Sequence, residues 1–418
     1  MAIEKSIKNL LVEPYRLLFA GGSLYAVLSM AIWFSWLHLL DHQIPWFGFR
    51  VGPSQYHSHV MLFGVMGFYV FGFILTAFPR FVGQPHPSAG AVVAWCMGLV
   101  GGQICFFLGA TRDPAWMWPA AGLEGLSYLF LLGFLVKTYL RSGKCLEDKQ
   151  PRFLLLALGF GTLGLLLSYA YYAAEGSFTF YTLSIELGTY GYLFLLVVGI
   201  TYRIVPFFAG RVISGYEGRR GAHTLAVVTA LILLRIFLVT LWADTPRQHY
   251  AAWAINLALL VVLAMEWLRW KPWQAKETPI LFVLFLGLFW ILVFLGFSGY
   301  ELGYHLAHRE AAVYPILRTP ALHALYIGAF GTLILAISTR VVRGHGGAPI
   351  VADRYTLVAL LLMQGAALWR VLTPVFFGAS DSLWLRNYWA GLLWCIAFGV
   401  WAYRYLPFLF RPKPPTSA

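Results

Sequence analysis

The stretch YHSHVMLFGVMGFYVFGFILTAF, residues 56–78, decides the fold class. From His59 to Phe78 it carries no acidic or strongly basic residue, and a helix of that length rises about 30 Å, the thickness of a bilayer's hydrocarbon core. Such a segment crosses a membrane. Its opening is the costly part: two imidazoles, His57 and His59, stand at the mouth of an apolar span, where polar side chains are expensive and usually functional.

Outward from this stretch the pattern recurs. Of 418 residues, 60% are hydrophobic and only 11% charged, against about 25% charged in a soluble domain. Apolar runs of spanning length lie near 15–40, 57–78, 89–109, 116–137, 152–173, 180–206, 221–241, 249–268, 279–298, 321–341, 356–377 and 385–407. Twelve transmembrane helices are expected, with connections too short for a soluble domain, so residues 1–418 are read as one all-α integral membrane domain. The first 14 residues, MAIEKSIKNLLVEP, are too polar and short for a secretory signal.

The formal charge of +13 gives no nucleic-acid reading, because it follows the loops. With the N-terminus placed inside, 22 of the 30 Lys and Arg fall on inner segments and six on outer ones; Arg235 and Arg370 lie within spans. That is the positive-inside pattern, with both termini cytoplasmic and the lipid bilayer as the first partner.

This topology sorts the eleven histidines. His38, His42, His57, His59, His249, His305, His308 and His323 fall near the outer face, and His86, His223 and His345 near the inner one. Cys96, Cys105, Cys145 and Cys395 show no CxxC spacing, so neither a disulfide framework nor a thiolate metal site is indicated. A metal or haem held here would take imidazole ligands, with a carboxylate at most.

An internal repeat narrows the choice. Without a gap, the second span laid over the sixth and the tenth aligns His59 with Glu186 and His323, Gly64 with Gly191 and Gly328, and Gly83 with Gly210 and Gly347. Pro79 also meets Pro206. The offsets, 127 and 137 residues, are four spans each time. The expectation is three four-helix units around a pseudo-threefold axis, with a polar residue at one depth of each inner helix.

Residues two apart on a helix point about 200° from each other, so His57 and His59 serve different neighbours. The repeat nominates His59 to face the bundle interior with His323, leaving His57 for a second centre, a supporting contact or the water interface. His38 with His42, and His305 with His308, each share a helix face and form candidate copper pairs. Glu186 is a candidate ligand from the repeat, and Glu124 is a second carboxylate inside a span. His345 lies about 33 Å along a helix from His323 and cannot share the outer centre.

The segments HSHVMLFGVMGFYVFGFILTAFPRF, TYRIVPFFAGR and HALYIGAFGTLILAISTRVVRGHGG resemble the hallmark blocks of the NnrS family. The resemblance implies a multi-pass protein of the bacterial inner (cytoplasmic) membrane that binds haem and copper and acts in the response to nitric oxide. Val60 stands where the family commonly carries an acidic residue, so no carboxylate role transfers to that position. A more distant likeness is to the catalytic subunit of haem-copper oxidases and nitric oxide reductases, whose HxxxMxF pattern is matched by His57, Met61 and Phe63. The sixth and seventh spans lack the copper-binding histidines of that subunit, so the chain is not read as a proton-pumping oxidase.

The residues themselves agree with a haem. Gly64 and Gly67 follow one candidate ligand, and Gly328 and Gly331 the other, letting a flat macrocycle or a neighbouring helix approach. Arg50, Arg309 and Arg318 are available on the outer side for propionates. Haem-dependent redox or nitric-oxide chemistry, fed by an unidentified electron donor, is one function class. A metal- or haem-related transporter, with GITYRIVPFF as its broken helix, and an assembly factor without turnover are the others.

Overall fold

The computed structural model describes residues 2–42, 47–143, 148, 150–241, 246–307, 314–377 and 383–412. Eleven helices are long and apolar enough to cross a membrane. They are α1 (Pro14–Leu40), α2 (Pro53–Phe81), α3 (Ala89–Thr111), α4 (Pro114–Arg141), α5 (Gln150–Tyr172) and α6 (Phe178–Val212), then α8 (Tyr250–Arg269), α9 (Pro279–Glu301), α10 (Thr319–His345), α11 (Arg354–Thr373) and α12 (Tyr388–Leu409). Between α6 and α8 lies α7 (Thr224–Leu241), of 18 residues, about 27 Å long and just short of the hydrocarbon core. Of the twelve expected spans, eleven meet the length criterion and the seventh is the short one. No strand occurs among the described residues, as expected where every backbone group must be paired inside lipid.

The helices form a closed ring of three units. Within the first, α2 packs on α1 and α4, and α3 on α4; within the second, α6 packs on α5 and α7, and α7 on α8; within the third, α10 packs on α9 and α11, and α11 on α12. The units join through α4 with α5, α8 with α9, and α12 with α1, the same junction three times. Burial follows this order: α2 is 83% and α10 72% buried over the spanning window, whereas the peripheral α8 is 33% buried. Helices α2, α6 and α10 line the axis.

Each axial helix breaks its α-helical register at the repeat position. A π-helical segment runs over Val60–Val65 in α2, Leu187–Phe194 in α6 and Ala324–Gly331 in α10. These segments begin directly after His59, Glu186 and His323, so the sequence offsets are reproduced in the backbone. Such π turns free a carbonyl and cluster at functional sites; the Tyr128 hydroxyl donates to the Phe63 carbonyl at 3.0 Å.

The aligned glycines have one job in all three. A Cβ on Gly64 would lie 2.9 Å from the Tyr25 ring of α1, one on Gly191 2.9 Å from Phe160 of α5, and one on Gly328 2.5 Å from Trp290 of α9. Each lets the preceding helix sit against the axial one. At the opposite end Gly83 and Gly347 adopt φ of +69° and +68° and close their helices, while Gly210 lies inside α6.

The face carrying Glu13 and Arg80 is the basic one, here called the inner face. There Arg80 Nη2 lies 3.0 Å from Glu13 Oε1, and His345 Nδ1 lies 2.7 Å from Glu13 Oε2. The Arg16 guanidinium, buried, donates to the carbonyls of Leu409 at 3.2 Å and Arg411 at 2.6 Å, tying α1 to the end of α12.

Candidate functional site

Because the repeat residue follows the same helical phase in every unit, it faces the third and fourth helices of its own unit. The result is three comparable sites near the outer face, with three different fillings. His59 meets Glu124 of its own unit, and the cavity that His323 lines is lined by His57.

In the first unit the site is filled by hydrogen bonds. His59 Nε2 lies 3.1 Å from Glu124 Oε2, the Tyr169 hydroxyl donates to the same oxygen at 3.0 Å, and the Gln103 amide donates to Glu124 Oε1. Tyr25 in turn donates to Gln103 at 2.5 Å. The His59 ring is stacked on Phe106, 3.8 Å between centroids, and both His59 and Glu124 are buried.

In the second unit an ion pair takes the place. The Arg235 guanidinium donates to the Glu186 carboxylate and to Asn256 Oδ1 at 3.2 Å, and it lies 3.6 Å from the Tyr190 ring centroid. Glu186 therefore neutralises a buried cation, which a charge in a low-dielectric interior requires.

The third site is hollow. A cavity of about 130 Å³ lies between α10, α11 and α12 on one side and α1, α2 and α6 on the other, and both His57 and His323 line it. His323 Nδ1 lies 2.7 Å from the Thr319 carbonyl. A carbonyl only accepts, so Nδ1 carries the proton and Nε2 presents its lone pair, the tautomer selected in metal-ligating histidines. The His57 ring lies flat on Trp33, 4.5 Å between centroids. Met30, Met61 and Met66 contribute thioethers, and Arg370 of α11 contributes the cation.

This donor set fits haem iron chemically. Two neutral imidazoles approach from opposite helices, with a guanidinium for a propionate carboxylate. At about 130 Å³ the space holds an ion; ligand pockets run to roughly 300–1,000 Å³, so a macrocycle requires side chains of the lining to rearrange. Imidazole and thioether are also the ligand types that suit soft copper.

The remaining candidates lie elsewhere. His38 and His42 sit together at the outer end of α1, 4.5 Å between ring centroids, with His42 exposed. His308 and the His305 side chain lie outside the described residues. No group of three or more His, Cys, Asp or Glu suited to a metal occurs among the described residues. Cys96, Cys105 and Cys395 are free thiols in spans; Cys145 lies outside the described residues. Of the outer arginines, Arg50 is exposed, and the side chains of Arg309 and Arg318 are not among those described. Arg370, not singled out from the sequence, is the cation at the cavity. Its signal was available: an arginine inside a span is as costly as a histidine at its mouth.

Two more cavities follow the axis inward. A middle one of about 70 Å³ lies among α2, α6 and α10, and an inner one of about 790 Å³ opens at the basic face, lined by Arg80, Arg203, Arg220 and His345. Met66 lines both the outer and the middle cavity, and Phe73 both the middle and the inner one.

A family model described as NnrS protein matches residues 9–413, nearly the whole chain. No curated protein matches the chain.

Proposed function

The chain belongs to the NnrS family, and on that premise we propose that it is a haem-binding protein of the bacterial inner membrane that acts in the response to nitric oxide, with His57 and His323 holding the haem. Family membership fits a membrane protein of nitrosative stress. The single observation that supports the metal site is the meeting of His57 and His323 across one cavity, with the His323 Nε2 lone pair left free by the Thr319 carbonyl.

Each residue has a definable part. His323 is oriented by its bond to Thr319, and His57 by its stacking on Trp33. Arg370 would compensate a propionate carboxylate of a bound haem, in a place where an uncompensated charge would be expelled. Met61 and Trp394 wall the cavity and keep water out. When bound, haem supplies an iron able to exchange electrons or take a diatomic ligand. His59 contributes through the first unit's packing instead, since its ring is occupied by Glu124, Tyr169 and Phe106.

The three thioethers support a second reading, a copper ion held by His57, His323 and methionine. One experiment tests both. The protein is purified from haem-sufficient cells, and its absorption spectrum and metal content are measured for wild type, His57→Ala, His323→Ala and His59→Ala. A Soret band lost in the first two variants and kept in the third is expected. Stoichiometric copper without a Soret band would replace haem by copper, and a wild type with neither would overturn the proposal in favour of a transporter or assembly role.

A further inference from the structure

The middle and inner cavities serve none of the roles assigned so far. Three hollows lie in line, and each neighbouring pair shares one lining residue: Met66 between outer and middle, Phe73 between middle and inner. These two residues are seven apart in α2, about 10 Å along the helix. Met66, the more pliable of the two side chains, borders the outer and middle cavities, and Phe73 borders the middle and inner ones.

The middle cavity has the character of a small-molecule site. Phe19, Leu196, Ile200, Leu333 and Ile334 are among its walls, and its polar lining residues are Tyr69 and Ser338. The Ser338 hydroxyl is engaged by the Leu335 carbonyl at 3.3 Å. The Tyr69 hydroxyl is different: it is buried and meets no hydrogen-bond partner among the described residues. It has no accessible surface toward the cavity, so the walls that a ligand would meet there are apolar. Water is a poor choice, because a buried water needs 2–4 polar partners, whereas apolar cavities of about 150 Å³ and less stay dry and take up xenon.

The electrostatics disfavour ions. At the inner mouth Arg80 and His345 share Glu13 and Arg203 is paired to Asp148 at 2.6 Å, and with Arg220 added the mouth stays net positive, which opposes cations. An anion drawn to that mouth would have to shed its hydration to enter the middle cavity, where nothing replaces it. A neutral diatomic pays neither penalty.

We propose that the middle cavity is a binding site for a small neutral molecule of the nitric oxide or dioxygen class, held by its apolar walls, through which the outer cavity is supplied from the inner face. The supply role rests on the reading of the outer cavity as a metal site; the binding site does not. Its direction matters chemically, since a molecule arising in the cytoplasm would reach His57 and His323 along the axis.

Xenon pressurisation of crystals of the whole protein tests the binding site irrespective of metal content. Density in the middle cavity of the wild type and its loss in Ile334→Trp are expected; a wild type without xenon there overturns the site. Stopped-flow mixing of the reduced holoprotein with nitric oxide tests supply. Ile334→Trp should slow association several-fold with an unchanged resting spectrum, and Phe73→Ala should speed it. Association at the wild-type rate in both Ile334→Trp and Phe73→Ala overturns the supply role. Xenon in the middle cavity of a protein that binds no metal would leave this site standing and remove the function proposed above.

Discussion

The His57 imidazole lies parallel to the Trp33 indole, with 4.5 Å between centroids and 15° between planes. Stacking of this kind is worth about 0.5–1.5 kcal/mol beyond area burial, and it holds the ring in one orientation. Trp33→Leu should therefore lower haem affinity up to about tenfold, since each 1.4 kcal/mol is tenfold, while leaving the peak positions of bound haem in place. Titration of the haem-depleted protein measures it; an unchanged affinity would show that Trp33 only fills space.

In the first unit, Glu124 accepts from Gln103 and Tyr169 and faces His59. Glu124→Ala leaves several buried polar groups unpaired at about 1–3 kcal/mol each, so denaturant unfolding in detergent should show a loss of at least about 2 kcal/mol. The surviving protein should keep the spectral signature of the wild type. A lost signature at normal stability would instead make the Glu124–His59 pair part of the metal site.

For the buried pair of the second unit, single and double replacements should differ in kind. Arg235→Leu strands the Glu186 carboxylate and should cost about 3–5 kcal/mol, whereas joining it to Glu186→Leu should recover most of that loss. Recovery in the double variant, measured by unfolding, identifies the pair as structural. A double variant that folds normally but fails to protect cells from nitric oxide would give the pair a role in function.

Asp353 carries the clearest pH signature outside the spans. Burial works to raise its pKa, but hydrogen bonds from the Thr356 amide and hydroxyl and from Arg404 outweigh it and hold the carboxyl at about 2, below its ordinary 3.8. A group depressed in the folded state contributes stability above its unfolded pKa, and that contribution disappears as pH falls through the folded one. Wild type should accordingly lose stability between about pH 4 and pH 2. Asp353→Asn should be less stable at pH 7 and converge with wild type near pH 2, as followed by thermal unfolding; parallel curves across that range would refute the assignment.

Much of this was legible from residue order. Span length gave the helices, and the gapless alignment of His59, Glu186 and His323 marked one depth on each axial helix; that a π segment begins there is a feature of the backbone that the alignment does not encode. What it could not give was phase. Equal depth on three helices does not by itself say which neighbours a residue faces, and equal phase in a threefold ring points each residue into its own unit. His57 and His59 do serve different neighbours: His57 lines the cavity with His323, and His59 meets Glu124. Arg370 and Trp33 reach the cavity through packing between the third and first units, helices far apart in sequence, which no local pattern records.

The lock between α12 and α1 bears on biosynthesis. Trp394 donates to the Ala26 carbonyl at 3.2 Å, and Arg16 grips the carbonyls of Leu409 and Arg411. A ribosome delivers α1 to the membrane first and its partner last, so α1 waits through the insertion of ten other helices with its mating surface against lipid or a chaperone. Three walls of the His57 and His323 cavity, α10, α11 and α12, arrive only at the end. A chain stalled before α12 can thus be fully inserted and still have no site, and loading of any metal group must follow the close of translation.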